Sequence, residues 1–204
     1  EHGGRGTDPE TSAAIAAELS RYDGPDLYPF AVGLALVGPT VLVHGTEDQQ
    51  ARWLPPILDG SEIWCQLFSE PDAGSDLAGV STRAELDGDE YVITGAKRWI
   101  GNAKAADFIQ LLCRTDDPLP GEKRAAGLAT IIVEKERDAF PAGLTGTTID
   151  KIGYHGFLTW DLTFDGVRVP ASNKVTGKGT AAFRDTQKWL NIARVHTAAR
   201  AVGL

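Results

Sequence analysis

The sequence predicts an α+β chain in three parts: a helical segment over residues 1–61, an antiparallel β-barrel or sandwich over 62–171, and the start of a C-terminal helical bundle over 172–204. Up to about residue 60, apolar side chains recur at helical spacings behind capping signals. Beyond that the runs become short, rich in β-branched and aromatic residues, and divided by turns such as Asp87-Gly88-Asp89. From Thr180 to Val202 there is no glycine or proline and alanine is frequent, the composition of a long helix.

Thr7-Asp8-Pro9-Glu10 supplies a capping side chain, a proline at an early helical position and an acid in the first turn. The helix begun there runs from Pro9 to Tyr22, with Ala13, Ile15, Ala16 and Leu19 compatible with one buried stripe, and Asp23-Gly24-Pro25 stops it. Apolar density from Leu27 to Val43 predicts a second, largely buried helix, bent near Gly38-Pro39. A third begins over Glu47 to Trp53. Strands are expected from Glu62 to Phe68, Thr82 to Leu86, Tyr91 to Thr94, Phe108 to Arg114, Leu128 to Glu134 and Leu158 to Phe164. Gly121 to Ala126 reads as a polar surface loop, and no internal repeat or low-complexity segment is visible.

A length of 204 residues allows one or two domains with a well-buried core. The balance of 20 basic against 28 acidic residues, net -8, argues against a nucleic-acid-binding surface. The longest apolar stretch, Phe30 to Val43, is broken by Gly33, Gly38, Pro39 and Thr40 and is too short to span a bilayer. Cys65 and Cys113 lie in strand-like apolar surroundings and read as buried, reduced thiols, which suits a cytoplasmic protein. The chain contains no methionine and opens on Glu1-His2-Gly3-Gly4-Arg5-Gly6. It therefore reads as an interior piece of a longer protein.

The residues alone exclude several chemistries. No G-x-G-x-x-G is present, so a Rossmann cofactor site is disfavoured. His2, His44, His155 and His196 lack ligand spacing, so no metal site is expected. Ser75 lies in no G-x-S-x-G elbow, which disfavours a serine hydrolase. Ser69 to Asp76 is either a tight turn or a ligand loop, Trp99 either a core aromatic or a ring platform, and Arg194 either a solvated cation or an anion contact.

The run Cys65-Gln66-Leu67-Phe68-Ser69-Glu70-Pro71-Asp72-Ala73-Gly74-Ser75-Asp76, followed by Lys97-Arg98-Trp99-Ile100-Gly101-Asn102, resembles the flavin-binding motifs of the acyl-CoA dehydrogenase family. Leu54 to Gly60 is similar to that family's linker into its middle domain, Asp87 to Lys97 to its central hairpin, Val167-Arg168-Val169-Pro170 to the segment leaving that domain, and Asn191-Ile192-Ala193-Arg194 to its acyl-CoA-contacting helix. The resemblance implies FAD bound by Gln66, Leu67, Phe68, Ser69, Gly74, Ser75, Trp99, Ile100 and Gly101, with substrate met by Ser75, Asn191 and Arg194. It implies α,β-dehydrogenation of an acyl-CoA in fatty acid metabolism, electrons passing to an electron-transferring flavoprotein, and a homodimer or homotetramer in a bacterial cytoplasm.

The chain departs from the family pattern at three points. Gly101 stands where a threonine hydroxyl is usual, a form resembling a branch of acyl-CoA oxidases that use oxygen. Ser69 replaces a commoner threonine. No catalytic residue is expected in this chain: the glutamate base of the family falls beyond Leu204, and the position some members use instead is Ala193. A non-catalytic subunit that kept the fold is the alternative of a different class. No arginine lies between Arg21 and Arg52, where glutaryl-specific relatives carry one, so a dicarboxylyl substrate is disfavoured.

Overall fold

The computed structural model describes residues 6–22, 28–153, 156–175 and 181–202. The opening residues 1–5, the expected helix stop at Asp23, Gly24 and Pro25, and His155 lie outside the described residues. Helix α1 spans Pro9–Leu19, and the Asp8 carboxylate caps it by accepting the Thr11 N–H at 2.8 Å. Its expected buried stripe is not found: no residue of α1 is buried, and Ile15 and Leu19 are exposed. Ala13, Ala14, Ala16 and Ala17 spread small apolar groups around the helix, so no face offers much area to bury.

The second helix is irregular. It runs as α2 (Tyr28–Val32), a π-helical turn (Gly33–Val37) and α3 (Gly38–His44). Pro39 has no N–H to donate, and the turn before it widens so that the Gly38 N–H reaches the Gly33 carbonyl. The irregularity expected at Gly38-Pro39 therefore falls on the preceding turn. Helix α4 (Glu47–Asp59) starts with a capping box in which Thr46 and Gln49 exchange backbone-to-side-chain bonds of 3.2 and 3.0 Å. Leu54 to Gly60, read as a linker, is instead its last two turns, ended by Gly60 at φ 74°. Pro55 and Pro56 lie inside the helix, where burial of Trp53, Leu54 and Ile57 on one face offsets the two lost donors.

Seven strands follow: β1 (Trp64–Leu67), β2 (Arg83–Asp87), β3 (Glu90–Gly101), β4 (Phe108–Arg114), β5 (Leu128–Glu134), β6 (Leu144–Ile149) and β7 (Thr159–Pro170). They form one sheet in which β1 and β2 follow each other along the same edge of β4, β5 takes its other edge, and β3, β7 and β6 extend beyond β2. The sheet is mixed rather than wholly antiparallel, since β4 runs parallel to β1 and to β2. The Phe68–Thr82 loop and the β2–β3 hairpin supply the crossover that a parallel pair requires. β3 and β7 are each 12 residues long and pair along their whole length. β6 gave no sequence signal because only Leu144 of Leu-Thr-Gly-Thr-Thr-Ile is buried, as befits a polar edge strand.

Side-chain alternation along β1 and β4 decides what faces what. Cys65, Leu67, Ile109, Leu111 and Cys113 point into the sheet's own core. Trp64 and Phe108 point the other way and stack at 4.4 Å beneath Trp53, Ile57, Val37 and Val41 of the helices. Gln110 donates from its amide to the Thr40 hydroxyl at 3.3 Å, tying β4 to α3. Helix α5 (Ala181–Val202) docks through Phe183 on Phe68, Leu77 and Leu112, and through an Asp185–His44 contact of 3.1 Å. Both cysteines are free and buried, and burial pushes each thiol up to about 12. No helix among the described residues is long and apolar enough to cross a membrane.

Candidate functional site

Two clefts meet at the end of β1. The first, about 330 Å³, is walled by Pro29 and Val32 of α2, by Trp64, Gln66, Phe68 and Ser69 along the β1 exit, and by Trp99, Ile100, Gly101, Asn102, Gly156 and Phe157 opposite. The second, about 350 Å³, takes Gly74, Ser75 and Leu77 from the following loop and Gln187, Leu190, Asn191 and Arg194 from α5. Gln66, Phe68 and Ser69 line both. The cleft-facing side chains Trp64, Gln66 and Phe68 are alternate residues, the period of a strand.

The sequence-predicted residues converge on these clefts, with Leu67 contributing backbone rather than side chain to that stretch. Leu67 lines neither cleft; strand alternation turns its side chain into the sheet core, where it is fully buried. Gln66, Phe68, Ser69, Trp99, Ile100 and Gly101 share the first cleft, while Gly74, Ser75, Asn191 and Arg194 share the second. Sequence reasoning missed Trp64, Phe157, Gln187 and Leu190. The last two carried a signal, because residues 187, 190, 191 and 194 fall on one face at helical spacing. Phe157 carried none, since a loop brings it to Gly101.

Trp99 owes its position to a β-bulge. The β3–β7 register shifts between Lys97 and Ile100, and Trp99 adopts φ 63° with its side chain 60% exposed. A bulky aromatic in the left-handed region is strained, and such strain concentrates at ligand sites. The Arg98 guanidinium lies 5.1 Å from the ring centroid of Trp99 and 3.5 Å from Asp161.

The polar lining is specific. Gln66 Oε1 and Trp64 Nε1 are buried without a hydrogen-bond partner. Both residues line the first cleft, though these two atoms are themselves shielded from it. A Cβ added at Gly74 would meet nothing within 4 Å, so backbone is open to a ligand there. Arg194 donates to Asn191 Oδ1 on the α5 face. Among the described residues no carboxylate lines either cleft. Asp185 is turned to His44 and away from both. Among the described residues no group of His, Cys, Asp and Glu is placed to hold a metal ion.

Directly behind the clefts lies a buried ion pair. The Lys97 Nζ donates to Glu70 Oε1 at 2.9 Å, to the Phe68 carbonyl at 3.1 Å and to the Leu112 carbonyl at 2.7 Å. Glu70 also accepts the Ser81 N–H at 2.7 Å, the Ser81 hydroxyl at 2.8 Å and the Thr82 N–H at 3.0 Å. Burial works to raise the Glu70 carboxyl, but the Lys97 ammonium and these donors outweigh it and hold the group down to about 2.

The sequence model of the acyl-CoA dehydrogenase middle domain matches residues 65–167, and that of the N-terminal domain matches residues 1–61. The chain belongs to the acyl-CoA dehydrogenase family. It is 36% identical over 210 residues to (2S)-methylsuccinyl-CoA dehydrogenase of Cereibacter sphaeroides, covering 100% of this chain and 37% of that protein. Among solved structures it resembles butyryl-CoA dehydrogenase from Megasphaera elsdenii, with TM-score 0.73, 30% identity, and coverage of 89% of this chain and 46% of the other. A chain in the structure of the electron transferring flavoprotein of Acidaminococcus fermentans matches with TM-score 0.81 and 30% identity, over 99% of this chain and 51% of that one. The chain thus spans between about a third and a half of these relatives.

Against the family pattern, Gly101 acquires a structural reason. A Cβ at Gly101 would come within 3.0 Å of the Phe157 ring, which itself is held under Lys151 Nζ at 4.0 Å. Restoring the family's threonine with Gly101→Thr is therefore an overpacking change, expected to cost about 1–3 kcal/mol. In a Phe157→Ala background the same change should cost much less. Urea unfolding of the four proteins measures this, and equal costs in both backgrounds would show that the ring does not constrain position 101.

Proposed function

We propose that this chain forms the FAD- and thioester-binding part of an enzyme that dehydrogenates an acyl-CoA to the trans-2-enoyl-CoA and passes the electrons to an electron-transferring flavoprotein. In this reading residues 1–61, 62–171 and 172–204 are the end of a helical domain, the flavin-binding β-domain and the start of a second helical domain. The observation that carries it is the shared wall: Gln66, Phe68 and Ser69 belong to both clefts, so a ring against Trp99 and a ligand along α5 meet at one strand end.

The residues fit a flat heteroaromatic group. Trp99 presents an exposed indole, and the Gln66 amide lies in the wall that both clefts share. The Ser69 hydroxyl and the β1 exit backbone add further hydrogen-bonding groups. FAD, when bound, supplies the two-electron oxidant that no side chain here can provide. Gly74 lets backbone approach closely, Ser75 adds a hydroxyl, and Arg194 with Asn191 gives charged and amide donors for a polar headgroup. Trp64, Pro29 and Val32 give the first cleft an apolar wall, against which a bound ring would shed water.

Trp99→Ala should raise the Kd for FAD roughly 2- to 13-fold, from a stacking contribution of about 0.5–1.5 kcal/mol. Flavin fluorescence titration of the intact protein measures this. Protein that is colourless and takes up no added FAD would sink the reading. Gly101 against Phe157 favours one second reading, an acyl-CoA oxidase, because the cleft edge there is apolar. Rapid reoxidation of reduced flavin in air separates the two.

No cation lines the α2 side of the first cleft among the described residues. That supports a monocarboxylyl thioester, although the Cereibacter relative is named for methylsuccinyl-CoA. Exposed Leu34, Leu42 and Val43 support a homodimer or homotetramer, and the two free thiols support a cytoplasmic setting.

A further inference from the structure

We infer that Lys97 and Glu70 are positioning residues for both clefts, a clasp set behind the site that holds the β1 exit, the 70–82 loop and the Trp99 bulge in one register. What the clefts bind rests on the proposed function; the clasp itself stands on geometry alone. Neither side chain lines a cleft.

An ammonium has three donors, and Lys97 spends them on acceptors from the β1 exit, the following loop and β4. Phe68 and Glu70 flank Ser69, so the ammonium fixes the chain on both sides of that hydroxyl. The next residue after Lys97 adds a direct stitch, the Arg98 N–H donating to the Ser69 carbonyl at 2.9 Å. Trp99 follows at once, on a bulge whose start Lys97 defines.

Glu70 does the same for the loop. Its backbone pairs with Ala73 at 2.8 and 3.2 Å, closing the turn before Gly74 and Ser75. Its carboxylate reaches across to Ser81 and Thr82, closing the loop at the start of β2. One ion pair therefore fixes Ser69, Gly74, Ser75 and Trp99 together. If stability were its only role, apolar side chains of similar volume would serve as well.

The test is hydrogen–deuterium exchange on the intact protein without added flavin, together with FAD affinity. It compares wild type, Lys97→Met, the double variant Glu70→Leu/Lys97→Met, and Leu144→Ala as a lesion of the same core made from β6, two strands from β3. In Lys97→Met and in the double variant, amides of residues 69–82 and 98–101 should exchange about tenfold faster, with β6 and the β2–β3 hairpin unchanged. The Kd for FAD should rise about tenfold in both, but stay within about twofold in Leu144→Ala. Exchange in those segments no faster than in Leu144→Ala overturns the clasp. Should Lys97→Met fail to fold, the double variant, which leaves no unpaired charge, decides the matter. A wild type that binds no FAD defeats the flavin reading while the exchange result still decides the clasp.

Discussion

Glu70→Gln should lower the unfolding free energy by about 3–5 kcal/mol, the usual cost of removing one partner from a buried ion pair. Glutamine keeps the shape but has one acceptor oxygen where the carboxylate serves Lys97, Ser81 and Thr82. Its amide would turn donors toward donors, and the Lys97 side chain, at 0% exposure, cannot reach water instead. Urea unfolding at neutral pH measures the loss, and a cost below about 1 kcal/mol would place the pair among those of no net value. The pH dependence has a definite sign. Glu70 is held at about 2 when folded against an ordinary 4.5, so its contribution is complete above pH 4.5 and is lost as pH falls toward 2. Wild type should lose more stability across that window than Glu70→Gln.

Residues 1–204 by themselves should show no substrate-dependent flavin reduction. Abstraction of the α-proton needs a base within hydrogen-bond reach, worth about 10²- to 10⁴-fold in rate. Among the described residues no carboxylate lines either cleft, Glu70 is committed to Lys97, and Asp185 is engaged by His44. Ala193, beside Arg194 on α5, has no ionisable group. The chain mixed anaerobically with FAD and a range of acyl-CoAs should leave the visible flavin band intact. Bleaching at a rate dependent on acyl-CoA would mean that a base is present among these residues after all.

Much of this arrangement was legible beforehand, and the failures have physical causes. Phe108–Arg114 and Leu128–Glu134 match expectation residue for residue because both strands are buried on two faces and read as unbroken apolar runs. The sequence pattern predicts only four residues of β3, because its second half carries Gly95, Lys97 and Arg98, which look like a polar exit. Lys97 in fact keeps the inward parity of Tyr91 and Ile93, and its charge is met by acceptors from segments far apart in sequence. No local pattern announces such partners. The loop after β1 is legible as a motif; that the Leu67 side chain shares the inward face of Cys65 follows from alternation with Gln66 and Phe68. Helix α1 failed in the opposite sense, since spacing fitted a stripe but alanine offers little area to bury.

The wall common to both clefts has a thermodynamic consequence. Phe68 is already fixed by core packing, but in the proposed function Gln66 and Ser69 would not be ordered by one occupant without being ordered for the other. Part of the free energy spent in fixing those rotamers is then shared, and linkage makes the effect mutual. Whatever factor the ring-binding cleft gains from an occupant along α5, the α5 cleft gains from the ring. Under the proposed binding, the end of a single strand would couple two recognition events, with no moving part between them.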